Sequence, residues 1–237
     1  MPDLMTACLR RLRSDESGFT LVELLAAMSI GLVVLMGAFL LLDHATATSA
    51  DVSYRQDATQ RGRQAMESMT RDLRSVICFG NASGPIVSGN ATGVAFTSDL
   101  TGNDNAVQKR ELAYDAAAGT ITERVYASAG AYPNFTFGST PIGSRLLLSR
   151  VGKAIVSGQS QSVFRYFEFT PGGAQGDLRE LPDANGENAR RVVLVRITFF
   201  AKPDRVNPAD RDATTFTSDV YIRIVDPTRP TEGPTCI

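Results

Sequence analysis

The sequence predicts an α+β protein, a long N-terminal helix packed by its second half on an antiparallel β-sheet domain. Three observations predict it. From Phe19 to Leu42 the chain reads FTLVELLAAMSIGLVVLMGAFLLL, with Glu23 its one ionisable residue. From Ala58 to Ile77 apolar residues recur at three- and four-residue steps. Beyond Ile77, short β-rich runs are punctuated by Gly, Asn, Asp and Pro.

The apolar segment comes first in the chain. A helix of that length, at ~1.5 Å rise per residue, spans about 36 Å, enough to cross a hydrocarbon core of roughly 30 Å with some tilt. Arg10, Arg11 and Arg13 precede it, and Arg55 is the first basic side chain of the Lys or Arg kind after it. The positive-inside rule therefore leaves the N-terminus in the cytoplasm and everything after Leu42 outside. A secretory signal peptide has a shorter apolar region before its cleavage site, so a cut at Ala45-Thr46-Ala47 is the weaker reading. A plain membrane anchor accounts for length and orientation but not for Glu23, because a carboxylate in an apolar helix is costly and asks for a partner.

The residues just upstream name that partner. Ser17-Gly18-Phe19-Thr20-Leu21-Val22-Glu23-Leu24-Leu25 resembles the cleavage and methylation motif of type IV prepilins: a glycine, the cut, then usually phenylalanine, with glutamate fifth after the cut. The resemblance implies that prepilin peptidase cuts between Gly18 and Phe19 at the cytoplasmic face, removes Met1 to Gly18 as a leader, and methylates the new amine of Phe19. Glycine suits the cut because it leaves the bond unhindered. The resemblance also implies that Glu23 pairs with the positive amine of a neighbouring subunit's Phe19, so that two charges costly in lipid neutralise one another during filament assembly.

The helix is expected to continue beyond the membrane. Ala58, Ala65, Met66, Met69, Leu73, Val76 and Ile77 form its apolar stripe, while Arg61, Arg63, Arg71, Asp72 and Arg74 fill the other face. Core packing against a sheet is the expected use of that stripe. Gly31, Gly37 and Gly62 mark places for a bend or for a close backbone approach.

Candidate strands follow at Val94 to Thr97, Val107 to Tyr114, Thr120 to Ala127, Arg145 to Val151, Ser162 to Thr170, Val192 to Ala201 and Thr215 to Val225. Alternation in Val163 to Phe169 and in Val220 to Val225 is the mark of sheets with one buried face. Asp115 to Gly119 is expected to close a hairpin, and Pro171 to Ala189 to be a long Gly- and Asp-rich connection. The expected organisation is a leader at 1–18, a membrane and filament-core helix at 19–42, an extramembrane amphipathic helix at 43–77, an antiparallel β domain at 78–226 and a Pro-rich tail at 227–237.

Within the pilin-like proteins, the length of the β region, the run Arg71 to Arg74 and the strand Thr215 to Arg223 are similar to J-type (GspJ/PulJ-like) minor pseudopilins of type II secretion and to PilW-type minor pilins. Glu23 sets the chain apart from the K-type tip pseudopilin, which lacks that glutamate. Of the three cysteines, Cys8 falls in the leader. Cys78 and Cys236 allow a disulfide closing a loop of about 160 residues, worth about 5 kcal/mol in the chain-entropy model. Two free thiols are the other reading, held slightly ahead of the bond.

Composition narrows the function classes. With 24 basic against 25 acidic side chains, the chain lacks the electrostatic basis for direct nucleic-acid binding. One histidine, His44, beside Asp43, cannot build a Ser-His-Asp set, and Cys/His metal chemistry has almost no raw material. Asp99, Asn103, Asp104 and Asn105 are oxygen-rich, but such residues make turns more often than calcium sites. Neither enzyme activity, a cofactor nor a metal is expected. The expected partners are prepilin peptidase, other pilin or pseudopilin subunits and the membrane. The expected function is that of a single-pass subunit of the cytoplasmic (inner) membrane, drawn into a type IV pilus-like or type II secretion pseudopilus filament. The competing class is a membrane-anchored extracytoplasmic binding module with no filament role.

Overall fold

The computed structural model describes residues 19–78, 84–99, 107–130, 134–171, 173, 174, 176–204 and 214–222. The chain divides between Asp51 and Val52 into two compact units, and one helix, α1 (Leu21–Arg74), contributes to both.

In the first unit α1 exposes every residue from Leu21 to Ser49. Among the described residues it is the one helix long and apolar enough to cross a membrane. Its composition suits lipid in detail as well: the hydroxyl of Ser29 donates to the Leu25 carbonyl at 2.8 Å, which gives the one hydroxyl between Leu21 and Leu42 an internal partner. Gly31 and Gly37 have nothing within 4 Å of a would-be side chain.

In the second unit α1 buries Ala58, Gly62, Ala65, Ser68, Met69, Asp72 and Leu73. Two corrections to the expected helix follow. Asp72, assigned to the polar face, is buried at 2% exposure. The helix ends at Arg74 and not at Ile77, because Ser75 turns its hydroxyl back to the Asp72 carbonyl at 2.6 Å. Val76 then bridges to Ser98, and the Ile77 N–H donates to the Thr97 carbonyl at 3.0 Å.

Two antiparallel sheets meet over this helix face. The first contains β1 (Ile86–Asn90), β2 (Gly93–Ser98), β3 (Gln108–Asp115), β4 (Thr120–Ala129), β5 (Thr136–Phe137) and β6 (Gly143–Ser149), ordered β1-β2-β3-β4 with β5 and β6 both on β4. The second contains β7 (Val151–Gly152), β10 (Phe164–Phe169), β11 (Leu178–Leu181), β12 (Leu194–Ala201) and β13 (Thr214–Tyr221), ordered β11-β10-β12-β13 with β7 on β12. A small hairpin, β8 (Ile155–Val156) with β9 (Gln159–Ser160), and a short helix, α2 (Glu187–Arg191), complete the described elements. The turn after Asp115 closes β3 onto β4 as expected, with the Asp115 carboxylate accepting the Ala117 and Ala118 N–H groups. The segment expected as a bare connection from Pro171 to Ala189 instead carries β11 and part of α2.

One hydrophobic core joins the layers. Met69 and Leu73 of α1 meet Phe96, Leu112, Ile121 and Leu148 of the first sheet and Phe164, Tyr166, Ile197 and Phe199 of the second. Tyr166 ties the sheets together: its hydroxyl donates toward the Gly93 and Asn90 carbonyls at 2.7 and 3.1 Å, and its ring occupies the space a side chain at Gly89 would need. Burial pushes the Tyr166 hydroxyl's pKa up, so it remains a donor. The alternation in β10 is not that of a sheet with one buried face. Phe167 and Phe169 are buried on the second face with Val193 and Leu194, where Arg165 and Arg196 lie over the Phe167 ring. Opposed in register, those arginines are each neutralised by a bidentate pair, Arg165 with Glu180 and Arg196 with Asp219.

Candidate functional site

The head of α1 is built by local chemistry. Thr20 precedes the first helical residue, and its hydroxyl accepts the Glu23 N–H at 3.3 Å. The Glu23 carboxylate reaches back to accept the Thr20 N–H at 3.1 Å and the Thr20 hydroxyl at 2.9 Å. Thr20 and Glu23 thus form a capping box, each satisfying a donor that the helix start would leave open. In lipid those donors would have no water to turn to. The box also places a carboxylate where the helix dipole favours negative charge. Phe19, 82% exposed, stands directly before it.

The structure therefore brings Phe19, Thr20 and Glu23 together, while Gly18 lies outside the described residues. Thr20 was the member missed from sequence. The signal was present, since T-x-x-E ahead of an apolar run is a capping-box pattern. Cys78 is disulfide-bonded; Cys8 and Cys236 both lie outside the described residues, as do Asn103, Asp104 and Asn105. Asp43 and His44 are exposed on α1. Among the described residues no group of three or more His, Cys, Asp or Glu is placed to hold a metal ion.

A second polar constellation sits inside the second unit, where α1 meets the first sheet. Glu123, 3% exposed, accepts from Arg110 on one oxygen and from Arg145 on the other, the latter at 2.7 and 3.0 Å. Arg145 also donates to the Ser68 hydroxyl at 3.0 Å. Asp72 lies 3.8 Å from Arg145 and 4.0 Å from Arg71. Burial, and then the neighbouring Glu123 charge, raise the Asp72 carboxyl above its ordinary range against the pull of Arg110, Arg145 and Arg71.

Comparison with known proteins bears on the first of these sites. Residues 13–39 match the family model of the prokaryotic N-terminal methylation motif. The match spans the junction at Gly18 and Phe19, the capping box and most of the apolar run, and it supports a type IV prepilin-like family. No curated protein matches the chain.

Proposed function

We propose that the chain is a minor pilin or pseudopilin, cut by prepilin peptidase after Gly18, methylated on Phe19, held in the cytoplasmic membrane by α1 and drawn from it into a filament. The observation that carries this reading is the junction itself. A methylation motif leads directly into a capped helix of membrane-crossing length and composition, and the one charge of its apolar run, Glu23, sits one turn from Phe19. The antiparallel β domain on the amphipathic half of α1 agrees with such a subunit. Joining other minor subunits to initiate or tip the filament is the role that the likeness to J-type and PilW-type subunits favours.

The reading is tested by mass spectrometry of the chain taken from membranes of a host with a functional prepilin peptidase. N-methylated Phe19 is the expected terminus, and Gly18→Arg should leave the larger precursor in the membrane. An intact Met1 terminus would overturn the assignment. For Cys78 we infer Cys236 as the partner, since Cys8 leaves with the leader. Peptide mapping without reductant should find that linked pair in the mature chain, and a Cys236 that alkylates without reduction would refute it.

A further inference from the structure

A hollow of about 580 Å³ lies where β1 and β2 meet β5 and α2. Its apolar wall is made by Ile86 and Val87 of β1, Phe135 and Phe137 at β5, and Ala189 of α2. Both rings are half-buried, and Val87, set out at the bulge in β1, is 43% exposed. The two ends of one segment of the chain arrive at this hollow. β13 leads into the buried Ile222, whose N–H donates to the Val193 carbonyl at 2.9 Å, two residues past the end of α2. At the other end, Cys78 is disulfide-bonded, and Cys236 is the cysteine left to it once the leader is removed. Cys78 directly follows Ile77, which Thr97 holds twice: the Ile77 N–H donates to the Thr97 carbonyl at 3.0 Å, and the Ile77 carbonyl accepts the Thr97 hydroxyl at 2.8 Å. Thr97 itself lines the hollow. Residues 223–235, which lie outside the described residues, are thus pinned at both ends beside its lining. Fully extended they reach about 45 Å, so a path along the hollow asks for no strain.

The composition of that segment suits the wall. It reads Asp226-Pro227-Thr228-Arg229-Pro230-Thr231-Glu232-Gly233-Pro234. Pro227 and Pro230 are one polyproline II turn apart, so both rings fall on one side. Paired prolines at that spacing dock in aromatic-lined grooves, and the stiff extended form gives up little entropy in doing so. Phe135 and Phe137 supply the aromatic wall, and the exposed Arg190 of the lining offers Glu232 a counter-charge.

We propose that this hollow is a binding groove for a Pro-rich peptide, and that its occupant is the chain's own segment 226–234, laid against Phe135 and Phe137 through Pro227 and Pro230. The disulfide tethers this strap, and its reduction makes the groove available to a second peptide of the same kind. The proposal rests on the filament reading above, through the loss of Cys8 with the leader. Its test places the photo-crosslinker p-benzoylphenylalanine at Val87 in the full chain, purified in detergent from a host with a functional prepilin peptidase. The expected result is a cross-link within the chain to a peptide from 226–234. Pro227→Gly with Pro230→Gly, which leaves the disulfide in place, should lower its yield about fivefold, an effect that a merely tethered tail would not show. After reduction, an excess of synthetic peptide 225–235 should lower the wild-type yield about tenfold, and the same peptide with glycine at both proline positions should not; this second measurement leaves the protein's own sequence and folding untouched. A cross-link to any other segment or to a second chain, a yield within twofold of wild type in the double variant, or equal competition by the two peptides would each overturn the proposal. The same sample is scored for its terminus and its disulfide. An unprocessed chain or a Cys78–Cys8 bond fails the filament reading, whereas a processed chain with Cys78 bonded to Cys236 and no cross-link to 226–234 fails this proposal alone.

Discussion

Asp72 shows how a single residue's position sets the sign of a pH effect. A carboxyl whose pKa is raised on folding favours the folded state while it holds its proton, and that contribution is lost as pH rises from about 4 through the raised value. Glu180 and Asp219 act the other way: hydrogen bonds from Arg165 and Arg196 lower them, so their contribution is present above the ordinary carboxylate range and lost as pH falls. Asp72→Asn should therefore stabilise the chain at pH 7 and leave it nearly unchanged near pH 3. Thermal melts of both proteins across that range check this, and a variant less stable at pH 7 would contradict it. No buried cation is stranded by the change, because Arg110 and Arg145 keep Glu123. The burial of Asp72 was legible in the spacing. Ala58, Gly62, Ala65, Met69, Asp72 and Val76 follow steps of four and three, so residue 72 belongs to the inward stripe whatever its charge. Reading residue type ahead of position put it on the wrong face.

At the scale of elements, close approaches fix how α1 and the sheets pack. A side chain at Gly62 would overlap the Phe216 ring, which itself stacks on Phe199 with centroids 5.4 Å apart. Gly62 was expected to admit a backbone or a bend, and it admits an aromatic ring of β13 instead. Gly62→Ala gains about 1 kcal/mol of helix propensity against an overpacking cost of about 1–3 kcal/mol, so a net loss of up to about 2 kcal/mol is expected. Adding Phe216→Leu should recover most of it. Denaturant melts of the double-mutant cycle read that coupling, and additive effects would show that the ring does not set the approach. Tyr166→Phe removes the one hydroxyl hydrogen shared between the Gly93 and Asn90 carbonyls across the sheets, so a loss of about 1–2 kcal/mol is expected by the same melts; an unchanged midpoint would mean that the sheets are joined by apolar packing alone. The longer strands were readable because each carries enough residues to show a pattern. The strands β1, β5, β7, β8, β9 and β11, with α2, were not, since a run of two to five residues shows no period and its pairing depends on distant partners. Both faces of β10 are covered for the same reason: Arg165 and Arg196 look like solvent-facing residues until their register lays them over Phe167.

For the whole molecule, the two halves of α1 differ in kind, the first apolar and exposed and the second amphipathic and partly buried, and the sequence states this more openly than any other property of the chain. Its apolar run and the motif around Gly18 and Phe19 were both evident from residue order alone, because each is a linear pattern in the sequence. The β domain's fold depends on pairings far apart in the chain and has no comparable linear mark. The central claim is that Glu23 serves assembly and not anchoring. The measurement that addresses it most directly is filament- or secretion-dependent activity in cells carrying Glu23→Val at normal expression, with membrane fractionation as the insertion control. The account predicts normal insertion, since the helix becomes more apolar, and lost activity, since a neighbour's positive Phe19 amine is left in lipid without a counter-charge. Normal insertion with full activity would contradict it and would turn the chain into an anchored binding module.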